Sequence, residues 1–219
     1  MIARSRQIAR FGDLTEEQRQ PLRAQRIQRH CDLHQQRDHL SMRFLCWTAA
    51  RSDDTCALRV DKVDAGMKLV EFHHTKSGHP QQMPIAPEFQ DEFFAYVDSL
   101  PRHEQYVFFS ETGNRISRKF LFMTVQAHAD YCGIKRVNVN PRMIRRTIAR
   151  WMRHGGASDH HIELFLRHSP STVAKSHYSP VEAINIVPAF EHHPLRRLLR
   201  EKQQTQFTTV GLAALPAAA

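Results

Sequence analysis

The chain has 219 residues, 41% of them hydrophobic and 24% charged, enough for one large or two small folded domains. Lysine and arginine number 31 against 22 acids, a formal net charge of +9 that favours a polyanionic partner. No apolar run is long enough to span a bilayer, and the N-terminal MIARSRQIARFGD lacks the apolar core of a secretory signal.

Residues 1–13 read as a basic leader. DLTEEQRQ then signals a helix start, with Thr15 as cap and Glu16 and Glu17 favouring the positive end, and Pro21 is expected to shorten or break it. A second helix is expected over about 31–50, with Leu33, Leu40, Phe44 and Trp47 on one stripe. Continuing that geometry puts Arg51 on the same stripe. SDDTCAL reads as a turn. Three β-like runs follow, around 58–63, 67–73 and 81–85, the last two flanking the turn HTKSGHPQ that carries Lys76. Pro87 opens a helix with Phe89, Phe93, Tyr96 and Val97 inward. A helix over about 117–132 ends before Gly133, and Pro141 starts an arginine-rich helix that stops at Gly155-Gly156. ASDHHIELFLRH gives another helix, STVAKSHY a short one capped by Ser171, and PVEAINIVPAF a helical segment broken by Pro188. The tail from 191 to 219 reads as partly helical over LRRLLREKQQ, then disordered over GLAALPAAA. The fold class is mainly α with a small antiparallel β-sheet, an α+β protein.

The four cysteines are scattered with no CxxC pair; Cys46 and Cys56 stand among apolar residues as buried thiols, which argues against a disulfide framework. The 15 histidines offer no His-x3-His pair with a third ligand at a usual spacing, and the doublets His73-His74 and His160-His161 cannot face one way. Neither a metal nor another cofactor is implied.

On the arginine helix, Ile144, Ile148, Trp151 and Met152 form the apolar stripe, and Arg142, Arg146, Arg150 and Arg153 the opposite face. Arg145 belongs to neither; at the border of the core, a half-desolvated guanidinium needs an anion. Arg51 calls for the same partner, or else snorkels to water or binds helix-end carbonyls. Lys76 alone reads as a solvated turn residue. Tyr178 has no apolar neighbour in sequence and is a poor core residue. A tyrosine hydroxyl, with a pKa of about 10, needs help to lose its proton, which His168 and the arginines could supply.

These residues, in this order, resemble the catalytic domain of the tyrosine recombinases, the phage-integrase-type site-specific recombinases. The family's first box, roughly T-G-x-R-x-x-E, appears as TAARSDD, with Arg51 at the arginine and Asp54 at the acid. The hairpin lysine appears in TKSGHPQQMPI as Lys76. The box His-x-x-Arg-His-Thr appears as RMIRRT, with Arg145 at its arginine and Arg142 in place of histidine. Leu-Gly-His appears as Leu166-Arg167-His168, and the closing Thr…Tyr as Thr172 and Tyr178. The resemblance covers residues 14–190 as one catalytic domain.

The resemblance implies that Tyr178 attacks a scissile phosphate to give a 3′-phosphotyrosyl link and a free 5′-hydroxyl. Arg51 and Arg145 would grip the non-bridging oxygens, Lys76 would protonate the leaving oxygen, and His168 would assist at the phosphate or the tyrosine. It also implies double-stranded DNA as partner, a homo-tetramer on that DNA, no membrane, and a bacterial cytoplasmic location. The departures bear on activity: Arg142 cannot exchange protons near neutral pH, and Arg167 is expected to crowd a tight turn. A non-catalytic DNA-binding relic, a type IB topoisomerase-like nicking-closing enzyme and a basic RNA-binding module stand as alternatives.

Overall fold

The computed structural model of the chain describes residues 16–73, 80–135, 139–167 and 183–202. The basic leader, Lys76, His168, the short helix expected at Ser171, Thr172, Tyr178 and the end of the tail lie outside the described residues. The chain divides into two compact units, Met1–Arg37 and Asp38–Ala219.

Helix α1 runs unbroken over Glu16–Thr48 with Pro21 inside it, where a short or broken helix and a second one from residue 31 are expected from the sequence. Pro21 is the sixth helical residue, so the ring removes one hydrogen bond near the end, where the helix tolerates it best. In the first unit, Gln28 Nε2 donates to Asp32 Oδ1 at 2.8 Å.

In the second unit the last turns of α1 bury Leu40, Phe44, Leu45 and Trp47. Thr48 ends the helix: its hydroxyl donates to the Phe44 carbonyl at 2.7 Å and accepts from the Ala50 amide at 3.2 Å. Ala49 then takes φ +46° and turns the chain. SDDTC, expected as a turn, forms the short helix α2 (Ser52–Cys56), with Arg51 as its N-cap residue in extended geometry. Arg51 therefore does not continue the α1 stripe.

The sheet is antiparallel in the order β1 (Val63–Asp64), β2 (Leu69–Phe72), β3 (Gln81–Pro84). Val63 pairs with Val70, Val70 with Met83, and Phe72 with Gln81. Only the end of the first expected strand joins this sheet. The segment before it turns its hydrogen bonds elsewhere, Val60 donating to the Gln105 carbonyl at 3.0 Å and Val107 to the Leu58 carbonyl at 2.9 Å.

Helix α3 (Pro87–Ser99) opens on Pro87 and buries Phe89, Phe93 and Tyr96; Val97 is only half-buried. Phe44 is the hub of the aromatic core, its ring centroid 5.4 Å from Phe93, 5.5 Å from Phe108 and 6.2 Å from Phe72. Helix α4 (Arg118–Tyr131) is capped by Ser117, whose hydroxyl accepts from the Phe120 amide at 3.0 Å. Helix α5 (Pro141–His154) is capped by Asn140 and α6 (Asp159–Leu166) by Ser158. Helix α7 (Ala183–Ile186) leads into a 3₁₀ turn at Val187–His192, which absorbs Pro188, and residues 194–202 form α8.

On α5, Ile148 and Met152 are buried as expected, but Trp151 is 47% exposed. It lies at the edge of the stripe, and its ring faces the Arg197 guanidinium of α8, 5.6 Å from the centroid. Cys56 is buried and Cys46 half-buried, and burial pushes their thiols up to about 12 and about 11. No described helix is long and apolar enough to cross a membrane.

His193 is fully buried between Trp47, at 5.0 Å, and Phe165, at 5.6 Å. Burial pushes its pKa down to about 4, with the Cys46 backbone acting weakly the other way. The unfolded chain therefore binds the extra proton between about pH 6.5 and 4, and stability falls as pH drops through that window. Urea unfolding of the parent is expected to lose roughly 2–3 kcal/mol from this group between pH 7 and 4.5. His193→Phe is expected to flatten that part of the profile, and parallel profiles would contradict it.

Candidate active site

The site is built where the ends of α1 and α6 meet the starts of α2 and α5. α2 fixes Arg51 through its backbone: the Arg51 carbonyl accepts from the Thr55 amide at 2.9 Å and from the Thr55 hydroxyl at 3.1 Å. The Arg51 side chain is about one-third exposed. Arg145 stands in the second turn of α5, half-buried as its border position predicts. Its Nη1 donates to the Ala49 carbonyl at 2.5 Å, and its Nη2 donates to the Leu166 carbonyl. Two carbonyls from chain segments distant in sequence are thus held in one planar fork.

Those carbonyls belong to two left-handed turns. Ala49 has φ +46° and Arg167, the C-cap of α6, has φ +52° and ψ +49°. Both stand where the recombinase motifs have glycine, which adopts this conformation without the Cβ penalty. Arg167 takes the strained left-handed conformation that a residue in place of glycine must take here. The backbone accepts positive φ, and the side chain runs into the core.

The Arg167 guanidinium is 0% exposed. Its Cζ lies 4.2 Å from the centre of the Phe72 ring, and its Nη2 is 3.6 Å from Asp54 Oδ2. Among the described residues, none of its side-chain nitrogens has a hydrogen-bond partner, and neither has Asp54 Oδ2. Arg51 Nη1 faces the same Asp54 oxygen at 3.7 Å, and Arg51 Nη2 donates to the Arg167 carbonyl at 3.3 Å. Burial, then the neighbouring Arg51, pushes Arg145 down to about 10. Burial dominates at Arg167 as well and pushes it down to about 9, against the pull of Asp54. Both remain protonated at neutral pH. Among the described residues, three guanidiniums gather around one carboxylate, an arrangement that calls for an anion.

Of the six residues singled out from sequence, the structure brings Arg51 and Arg145 together. Arg142 is exposed one turn earlier on α5. Lys76, His168 and Tyr178 lie outside the described residues. Phe72 and Gln81 pair across β2 and β3, and Phe72 packs against Arg167. Arg146 and Arg150 are exposed, and Arg153 pairs with Asp159 at 2.6 Å, as expected of a solvated face. The Asp54–Arg167 pair was missed in sequence. Each of the two directly adjoins a run that the fold buries, Thr55 to Leu58 and Phe165–Leu166, but nothing local joins one to the other. Among the described residues no cluster of His, Cys, Asp and Glu could hold a metal.

A mainly helical body with a three-stranded antiparallel sheet and two clustered arginines has the fold of the integrases and tyrosine recombinases. The integrase from mycobacterium phage Brujita matches with a TM-score of 0.56 at 12% identity, over 72% of this chain and 52% of that one. XerA recombinase matches with a TM-score of 0.51 at 20% identity, over 68% of this chain and 59% of that one. The chain belongs to the Phage integrase family, matched over residues 14–183. A tyrosine recombinase of Pseudothermotoga lettingae is 25% identical over 135 residues, 61% of this chain and 46% of that protein. The chain thus spans about half the length of this relative.

The two left-handed turns separate strain from charge. Ala49→Gly relieves the turn but adds freedom to the unfolded chain, and is expected to stay within about 1 kcal/mol of the parent. Arg167→Gly relieves the same strain yet leaves Asp54 buried without its inner partner, a loss of roughly 3–5 kcal/mol before relief. A net destabilisation of roughly 2–3 kcal/mol in urea unfolding is expected. Equal stability of the two variants would contradict the account of Arg167.

Proposed function

We propose that the chain is the catalytic portion of a site-specific DNA recombinase or integrase, with residues 14–190 as its catalytic domain and 191–219 as a tail. The observation that carries this reading is the convergence of Arg51 and Arg145 beside an excess of buried positive charge, in a chain of the Phage integrase family. A guanidinium has five N–H donors, and Arg145 uses one on each of two carbonyls, which leaves three for the non-bridging oxygens of a phosphodiester.

Tyr178 Oη attacks the phosphorus and forms the new P–O bond, while the bond to the 5′-oxygen breaks. The tyrosine proton passes to His168, and Lys76 gives a proton to the departing 5′-oxygen. Arg51 and Arg145 stabilise the charge that grows on the non-bridging oxygens, where their contribution to rate is largest. The 5′-hydroxyl of a second strand reverses the step, so the phosphodiester is conserved and no nucleotide is hydrolysed. The partner is double-stranded DNA. Support comes from the net charge of +9 and from the similar fold of XerH site-specific recombinase bound to its difH substrate, TM-score 0.53 at 14% identity over 65% of this chain. A homo-tetramer on DNA and a bacterial cytoplasmic location complete the proposal.

One observation favours a second reading, a DNA-binding relic. Arg142 occupies the place of a histidine and cannot exchange a proton near neutral pH.

Nicked suicide duplexes drawn from a randomised library test the reading. A covalent protein–DNA adduct is expected from the parent and none from Tyr178→Phe. Arg142→His is expected to speed adduct formation by about tenfold or more. Duplex binding without any adduct would favour the relic, and an adduct that survives Tyr178→Phe would overturn the assignment of the nucleophile.

A further inference from the structure

Two cations face the Asp54 carboxylate, and they are not alike. Arg51 reaches Oδ2 from a partly exposed position, at 3.7 Å. Arg167 reaches the same atom from a fully buried one, at 3.6 Å. Neither contact is a hydrogen bond, so the carboxylate is shared between two guanidiniums and fully captured by neither. Buried carboxylates seek a full ion pair because their desolvation is otherwise uncompensated. With Arg167 absent, Arg51, already 3.7 Å from Oδ2, is the cation among the described residues best placed to complete such a pair, since two of the Arg145 N–H groups are held in place by the Ala49 and Leu166 carbonyls. Residue 167 also holds Arg51 directly, its carbonyl accepting from Arg51 Nη2 at 3.3 Å.

We propose that Arg167 is a positioning residue for phosphate recognition: its buried guanidinium balances Asp54 from the inside and keeps Arg51 from being drawn into a closed pair, so that Arg51 stays available to an incoming phosphate. The motif position is one where a glycine would supply the turn alone. Here the same residue supplies the turn and a counter-charge. Arg167 itself touches no phosphate; it acts through Asp54 and Arg51. The inference rests on the reading of Arg51 as a phosphate ligand.

The test measures the affinity of the full chain for inorganic phosphate by calorimetric titration, with the parent, Arg51→Ala, Arg167→Met, Arg167→Lys, Asp54→Asn and the double variant Arg167→Met with Asp54→Asn. Arg167→Met is expected to weaken phosphate binding by about tenfold, because Asp54 then captures Arg51. Arg167→Lys, which keeps the buried charge, is expected to bind within about threefold of the parent. The double variant, which removes the competing carboxylate as well, is expected to recover to within about threefold of the parent. A residue that only supports the fold would give no such recovery. If Arg167→Met does not fold, Asp54→Asn decides alone: affinity equal to or above the parent supports the proposal, and weaker binding overturns it. With dependence on Arg51 intact, a double variant no better than Arg167→Met overturns this inference and leaves the proposed function standing. Equal binding by Arg51→Ala and the parent overturns both.

Discussion

One buried carboxylate, Asp54, stands among three guanidiniums, and the ends of several helices are arranged around it. Charges this deep persist only when opposed, and the geometry shows how each is met. Arg167 has Asp54 and the face of Phe72; Arg145 has two carbonyls; Arg51 has Asp54 on one side and the Arg167 carbonyl on the other. The end of α1, the start of α2, the second turn of α5 and the end of α6 are fixed relative to one another through these contacts. The residual positive charge is therefore held by packed elements, which is the arrangement a site needs to meet an anion without reorganising.

The turns carry as much of this design as the charges. Ala49 and Arg167 both adopt left-handed backbone without being glycine, and one guanidinium fork, that of Arg145, binds the carbonyls at both turns. Strain at two positions is tolerated because the surrounding contacts over-determine it. The ring that Arg167 covers belongs to Phe72, at the end of β2 where it pairs with Gln81 of β3.

Much of this was legible in the sequence, for local reasons. Pro87, Gly133, Pro141 and Gly155 mark helix ends because proline and glycine act within a turn of themselves. The stripe Leu40, Phe44, Trp47 and the border position of Arg145 follow from helical spacing. Arg51 was found for an incomplete reason. Extending the stripe ignores the turn at Ala49, and it is the turn that aims Arg51 at the site. Trp151 was misplaced because periodicity cannot tell the middle of a stripe from its edge. The pairing of Asp54 with Arg167 is invisible to any local pattern, since the two residues lie more than a hundred positions apart and meet only once the helices pack. The motif resemblance located the arginines but described Arg167 as an obstacle, whereas the fold uses it as a counter-ion.

The central claim is that Asp54 and Arg167 are energetically coupled in the core. A double-mutant cycle on unfolding free energy, with Asp54→Asn, Arg167→Met and the double variant, measures that coupling directly. The account predicts a favourable coupling of about 2 kcal/mol or more, with the double variant more stable than the sum of the single losses requires. Additive losses would contradict it and would reduce Arg167 to a side chain that fills space beside Phe72.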